Sequence, residues 1–366
     1  MGERSISAGL SLKAGDWVEV RSREEILSTL DRNSRLDELP FMPQMLQYCG
    51  QKLRVRKRAH KVCDTVNATG GRKMSNAVVL EDLRCDGQAY GGCEMRCLII
   101  WKDAWLKRVD QVERGFLGAG QAVPLNAHGD PGESGCSEAD VWAGTQMPQE
   151  KSGSGEPVYI CQATQLPLAT QPLSRWSIGQ YFEDYASGNA RISEILLRLL
   201  SLLYVHLSES GLGFGSALRW AYDSFQQFRG GSPYPWRRGH LPKNSATPAI
   251  NLNLQVGELV RVKHYRELLK TVDDEMMNRG MSFHPEMVPY CGETFRVHQR
   301  VRKIMNERTG QLMLLRNECL VLEGSDCLGR YSNPLFCPRF CYPYWREIWL
   351  ERVANEGQHS ANKTSD

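Results

Sequence analysis

Apolar and polar residues alternate in short runs toward both ends of the chain and recur every three or four positions in its middle. Strands are therefore expected at the ends and helices between them. Residues 53–63, 101–109, 294–305, 312–322 and 345–353 read as strands, with Thr309-Gly310 placed as the turn that joins two of them. Residues 23–30 have helical spacing, with Glu24 and Glu25 in the first turn. In the middle, residues 176–185, 192–207 and 217–228 each fit an amphipathic or buried helix, and the Gly- and Pro-rich residues 229–248 read as an irregular return. The most apolar run, 195–207, is broken by Arg198 and falls well short of the ~20 residues that cross a bilayer, so a buried helix is expected there.

The strand pattern occurs twice. Gly15, Val18 and Val20 match Gly257, Val260 and Val262, a shift of 242 residues that also aligns Phe41, Pro43, Met45, Tyr48, Cys49 and Gly50 with Phe283, Pro285, Met287, Tyr290, Cys291 and Gly292. The same shift aligns Arg54, Arg58, Lys61 and Cys85 with Arg296, Arg300, Lys303 and Cys327. After a two-residue insertion, Cys93, Cys97, Trp101, Trp105 and Arg108 fall on Cys337, Cys341, Trp345, Trp349 and Arg352. Each matched segment is of domain size, about 100 residues. A short strand, a helix in the first loop and three or four antiparallel strands suggest a small barrel. The expected fold class is α+β, with two homologous small SH3-like β-barrel repeats, residues 15–112 and 256–354, flanking a helical middle region, 158–255. Residues 113–157, rich in Gly, Ser, Pro, Asp and Glu, read as a flexible linker, with an N-terminal tail at 1–14 and a disordered C-terminal tail at 355–366.

Composition narrows the classes. With 41% hydrophobic and 24% charged residues the chain is not wholly disordered, and a net charge of +3 excludes a globally basic nucleic-acid binder while leaving room for a local basic patch. The first residues lack the features of a secretory signal, so a cytoplasmic protein without a membrane segment is expected. In a reducing compartment, the 12 cysteines are more naturally metal ligands or reactive thiols than disulfides.

Cys63 and Cys85 each end a strand, and Cys93 and Cys97 lie in the loop before the last strand. Neighbouring strand ends converge, so the four thiolates are expected to hold a tetrahedral Zn²⁺ at about 2.3 Å per bond. The second segment keeps Cys327, Cys337 and Cys341, but Met305 stands where the first has Cys63, with Cys319 as the nearest substitute and Cys291 a weaker one. That site is either degenerate or a three-cysteine site with an open position, the latter suited to iron or an iron–sulfur cluster. Cys49 and Cys291 match each other and read as buried thiols beside a turn, while Cys136 and Cys161 have no counterpart and read either as structural residues or as lone reactive thiols.

Arg54, Arg56, Arg58 and His60 share one strand parity, as do Arg296, His298, Arg300 and Arg302. This basic stripe is either a phosphate-gripping face or a solvated surface neutralised by nearby carboxylates. Tyr234, Trp236, Arg237 and His240 crowd into the return loop, which reads either as a ligand-binding loop or as an ordered connector. Asp184, His206 and Asp223 show no spacing that marks an acid–base or metal pair. No phosphate-loop, HExxH or GxSxG signature is present.

The stretches Pro338-Arg339, 342–353, 278–281 and 289–292 resemble those of an uncharacterised family of duplicated, cysteine-rich bacterial proteins found near biosynthetic gene clusters. The resemblance spans nearly the whole chain and implies an accessory or enzyme role in specialised biosynthesis, without implying an activity, a catalytic residue or a cofactor. Together these readings point to a zinc-binding protein that grips a small molecule or protein partner. The rivals are an iron or iron–sulfur enzyme and a nucleic-acid binder that uses the basic strands.

Overall fold

The structure, a computed structural model, describes residues 11–67, 69–109, 135–148, 155–211 and 213–353. The tails and most of the expected linker lie outside these residues. The fold is mixed α+β with two curled half-barrel sheets, and the chain divides into two units. The first comprises Met1–Leu197, Met305–Met313 and Ser332–Phe340, and the second Arg198–Ile304, Leu314–Tyr331 and Cys341–Asp366.

In the first unit, β1 (Trp17–Val20), β2 (Lys52–Arg58), β3 (Ala77–Arg84), β4 (Leu98–Lys102) and β5 (Leu106–Arg108) form one antiparallel sheet in the order β4-β3-β2-β1-β5. Helix α1 (Arg23–Leu27) follows β1 and is opened by a capping box, in which the Glu25 N–H donates to Ser22 Oγ and the Ser22 N–H to Glu25 Oε2. The expected strand 53–63 is broken: Asn189 clamps Arg58 by accepting from its N–H at 2.8 Å and donating to its carbonyl at 2.8 Å. Lys61–Cys63 then pairs with Gly71–Lys73, which Gln171–Leu173 extends, so the chain changes sheet at the basic stripe. Within the segment expected as linker, Ser137 caps a short helix α2 (Glu138–Ala143) that buries Val141.

The middle region carries α3 (Gln162–Ala169), α4 (Gly179–Ala186), α5 (Ile192–Glu209) and α6 (Gly215–Arg229). The last three follow the hydrophobic period closely; α3, with Pro167 inside it, does not announce itself. Gln162 at its start lies in the core, where its amide accepts from Ile100 N–H and donates to the carbonyls of Ile100 and Pro40. The apolar run in α5 departs from expectation, because Leu200 and Leu203 are 63% and 55% exposed rather than buried. Among the described residues, no helix is long and apolar enough to cross a membrane.

The second unit is built on the sheet β8-β7-β6-β9, formed by β6 (Leu259–Val262), β7 (Thr294–Met305), β8 (Leu312–Leu322) and β9 (Leu350–Arg352), with helix α7 (Tyr265–Leu268) after β6. The turn between β7 and β8, whose residues fall in the first unit, is the expected one: Gly310 has φ +72° and donates to the Asn306 carbonyl.

Positions matched in sequence carry the same local geometry. Val18 faces Leu53 and Arg108, and Val260 faces Phe295 and Arg352. Phe41 meets Trp105 edge-on at 5.2 Å, and Phe283 meets Trp349 at 5.3 Å. The indole N–H of Trp105 donates to Thr29 and that of Trp349 to Thr271, both at 3.1 Å. All four matched tryptophans are fully buried, so each sheet closes over an aromatic core of the same design.

Candidate functional site: a sulfur-lined pocket and a buried ion cluster

The thiols in the first unit are sorted by the strands that carry them. β3 ends at Arg84, and the Cys85 N–H then donates to the Cys97 carbonyl at 2.8 Å, closing the loop that holds Cys93. Gly87 makes this closure possible: its φ is +76°, and a Cβ there would lie 1.8 Å from the Cys93 carbonyl oxygen. Cys85, Cys93 and Cys97 line a pocket with Cys161, from the start of α3, and with the thioethers of Met42, Met95 and Met305. Its free volume is about 30 Å³, enough for one or two water-sized occupants.

Burial sets the chemistry of these thiols. It pushes Cys85 up to about 12 and Cys161 up to about 11, and it raises Cys93 as well. The Gln44 amide donates to Cys85 Sγ at 3.2 Å. At pH 8 a thiol at about 12 is ionised in about one molecule in 10⁴. Iodoacetamide at pH 8 should therefore leave Cys85 and Cys161 unlabelled in native protein over a time that fully labels the denatured chain. Fast native labelling of either, read by peptide mass, would contradict the raised thiols.

Cys63 is elsewhere. It lies against Cys337, Sγ to Sγ at 3.3 Å, and its N–H donates to Cys337 Sγ at 3.3 Å. The reciprocal contact exists, since the Met305 N–H hydrogen-bonds the Cys93 thiol. Met305 is the sequence match of Cys63, and Cys93 that of Cys337. Around these pairs Thr65 Oγ1 bonds its own match Glu307, Arg308 reaches the Val66 carbonyl at 3.3 Å, and Arg339 spans Thr65 and Glu307 at 2.5 and 3.1 Å. Matched positions thus meet each other inside the first unit.

The cysteines expected to form two metal sites are distributed over separate contacts. The quartet Cys63, Cys85, Cys93 and Cys97 is divided between the pocket and the Cys337 contact. In the second segment, Cys337 belongs to the first unit, while the Cys327 N–H bonds the Cys341 carbonyl at 2.9 Å in the second. Cys319 sits in a small core with Val301 and Val321, its sulfur 3.9 Å from Met281 Sδ and 3.4 Å from Arg346 Nη1. Among the described residues, no group of three or more His, Cys, Asp or Glu is arranged to hold a metal ion.

The basic stripe is spent on internal partners. Arg54 pairs with Glu81, Arg56 lies 3.8 Å over the Phe340 ring, and Arg58 grips both oxygens of Asp103 at 2.8 and 2.7 Å. Its matches do the same: Arg296 donates to the Gly257 carbonyl, Arg300 pairs with Glu318 and Glu347, and Arg302 with Glu318. The side chains and backbone of the return loop have partners in their own unit. Tyr234 is fully buried, with its hydroxyl 2.6 Å from Ser208 Oγ; Trp236 meets Tyr331 edge-on at 5.1 Å; Arg237 pairs with Asp223; and the His240 N–H bonds the Leu269 carbonyl.

One cluster had no signature in the sequence. Asp184, on α4, is fully buried and accepts from Lys61 Nζ at 2.5 Å, with Gln180 Oε1 3.4 Å from the same nitrogen. His60 Nε2 stands 3.2 Å from the other Asp184 oxygen, without the alignment of a hydrogen bond. Burial lowers the Lys61 amine below its usual range, against the pull of Asp184. The aspartate lies more than a hundred residues from Lys61 and His60, so no local spacing could reveal it.

No family model, no curated protein and no solved structure matches this chain.

Proposed function

We propose that the protein is a metal-binding accessory protein built from a duplicated, SH3-like β domain, and that the pocket of its first unit takes one soft cation of the Cu(I) type. The observation that carries this reading is the lining: four thiols and three thioethers around about 30 Å³. Thiolate and thioether sulfur select soft ions, and a space of this size takes one ion. Cu(I) is satisfied by two thiolates in line, a smaller demand on convergence than the tetrahedral zinc expected from the cysteine spacing. Since burial keeps the thiols protonated, loading must release protons, so affinity rises with pH. The accessory role rests on the family resemblance in the sequence, which implies an accessory or enzyme role without a cofactor.

The test is an anaerobic Cu(I) titration against a bicinchoninate competitor, with Zn²⁺ as the comparison metal. The wild-type chain should take about one Cu(I) in preference to Zn²⁺, and Cys85→Ser with Cys161→Ser should weaken binding about 100-fold. Cys63→Ser should leave it unchanged. Equal Cu(I) affinity in wild type and the Cys85→Ser/Cys161→Ser chain would discard the reading.

A further inference from the structure

We infer that the α5–α6 hairpin is a dimerisation surface whose occupant is a second copy of this chain. Its amphipathicity is inverted. The two helices are joined on one side by polar and aromatic groups. Tyr204 hydroxyl bonds the Leu218 carbonyl, Tyr204 and Tyr222 rings lie 5.9 Å apart, and Arg219 pairs with Glu209 at 3.0 Å. The outer side carries Leu199, Leu200, Leu203 and Leu207 on α5, spaced as one helical stripe, and Trp220 and Phe228, 72% and 90% exposed, on α6. A surface helix ordinarily turns the other face outward.

Area and charge choose the occupant. Those six side chains expose about 700 Å² between them, above the largest apolar patch of an ordinary monomer and near the ~800 Å² that each partner gives to a stable interface. The two helices carry Arg198, Arg219 and Arg229 against Glu194, Glu209 and Asp223, a formal charge of zero with His206 neutral. A membrane-surface helix would need a lysine- and arginine-rich flank, which is missing here. Two neutral helices whose outward stripes have heptad-like spacing can, by contrast, complement a second copy of themselves. A two-fold axis would pack four of them as a bundle, with Trp220 and Phe228 of each copy set beside the exposed small residues Ala221 and Ser224 of α6.

Sedimentation equilibrium at about 50 µM chain tests this. The wild-type protein should sediment as a dimer. Leu200→Glu/Leu203→Glu should raise the dissociation constant about 100-fold or more, with the unfolding transition of the monomer retained; should that variant fail to fold, Trp220→Arg puts the same question to α6. A wild-type monomer at this concentration, a dimer indifferent to both variants, or a monomer that floats with phosphatidylcholine/phosphatidylglycerol vesicles would each overturn the inference.

Discussion

Replacing Lys61 with methionine is expected to destabilise the first unit by about 3–5 kcal/mol, because it leaves the Asp184 carboxylate without a cation in a fully buried position. The desolvation of both ions is what makes removal of one so costly. Removing both should be far milder, and Lys61→Met/Asp184→Leu is expected to recover most of the loss. Urea unfolding of the three proteins measures this, and a single substitution that costs no more than the double one would show that the pair is not coupled. The pH dependence has a defined sign. The folded Lys61 titrates below the free amine, so at alkaline pH, between the folded value and the usual 10.5, the unfolded chain binds more protons and stability rises with pH. Lys61→Met should abolish that rise.

Glu347→Ala should be the matching lesion of the second unit. The Glu347 carboxylate accepts from the N–H groups of Leu252, Asn253 and Leu254 at 2.5, 3.1 and 3.3 Å, and from Arg300 Nη1 at 3.1 Å. Truncation strands the N–H groups of Leu252 and of the fully buried Leu254 and frees one contact of Arg300, while the Asn253 N–H keeps Asn251 Oδ1 at 2.8 Å. At 1–3 kcal/mol for each buried orphan, a loss of about 3 kcal/mol is expected. Hydrogen exchange should speed up at residues 252–254 before the sheet. Unchanged exchange there would mean that the segment is held by its apolar contacts alone. The matched carboxylate in the first segment, Asp103, takes only Arg58 among its hydrogen bonds named above, so Asp103→Ala should cost less.

Much of the fold was legible because its signals are local and occur twice. The repeat matched Val18 with Val260, and after its two-residue insertion each buried tryptophan with its counterpart; the facing pairs Val18–Leu53 and Val260–Phe295 have the same geometry in the two sheets. Periodicity located α4, α5 and α6, but a stripe of leucines says only that one face is apolar, not whether it faces core or solvent. That is why α5 reads as buried and is not. The cysteine spacing failed for a topological reason. Treating each matched segment as closed on itself groups Cys63 with Cys85, Cys93 and Cys97, whereas Met305–Met313 and Ser332–Phe340 belong to the first unit and bring Cys337 to Cys63 and Met305 to Cys93. The substitution of Cys63 by Met305 then makes sense: a thioether joins the pocket where a thiol meets a thiol at the other contact. Cys161 enters the pocket from a helix the periodicity does not show.

Loading the purified protein with one Cu(I) per chain and recording X-ray absorption at the copper edge tests the central claim most directly. A first shell of sulfur alone, lost in Cys85→Ser/Cys161→Ser, is the predicted result. A shell of nitrogen or oxygen, or copper that washes away on desalting, would contradict a soft-cation pocket.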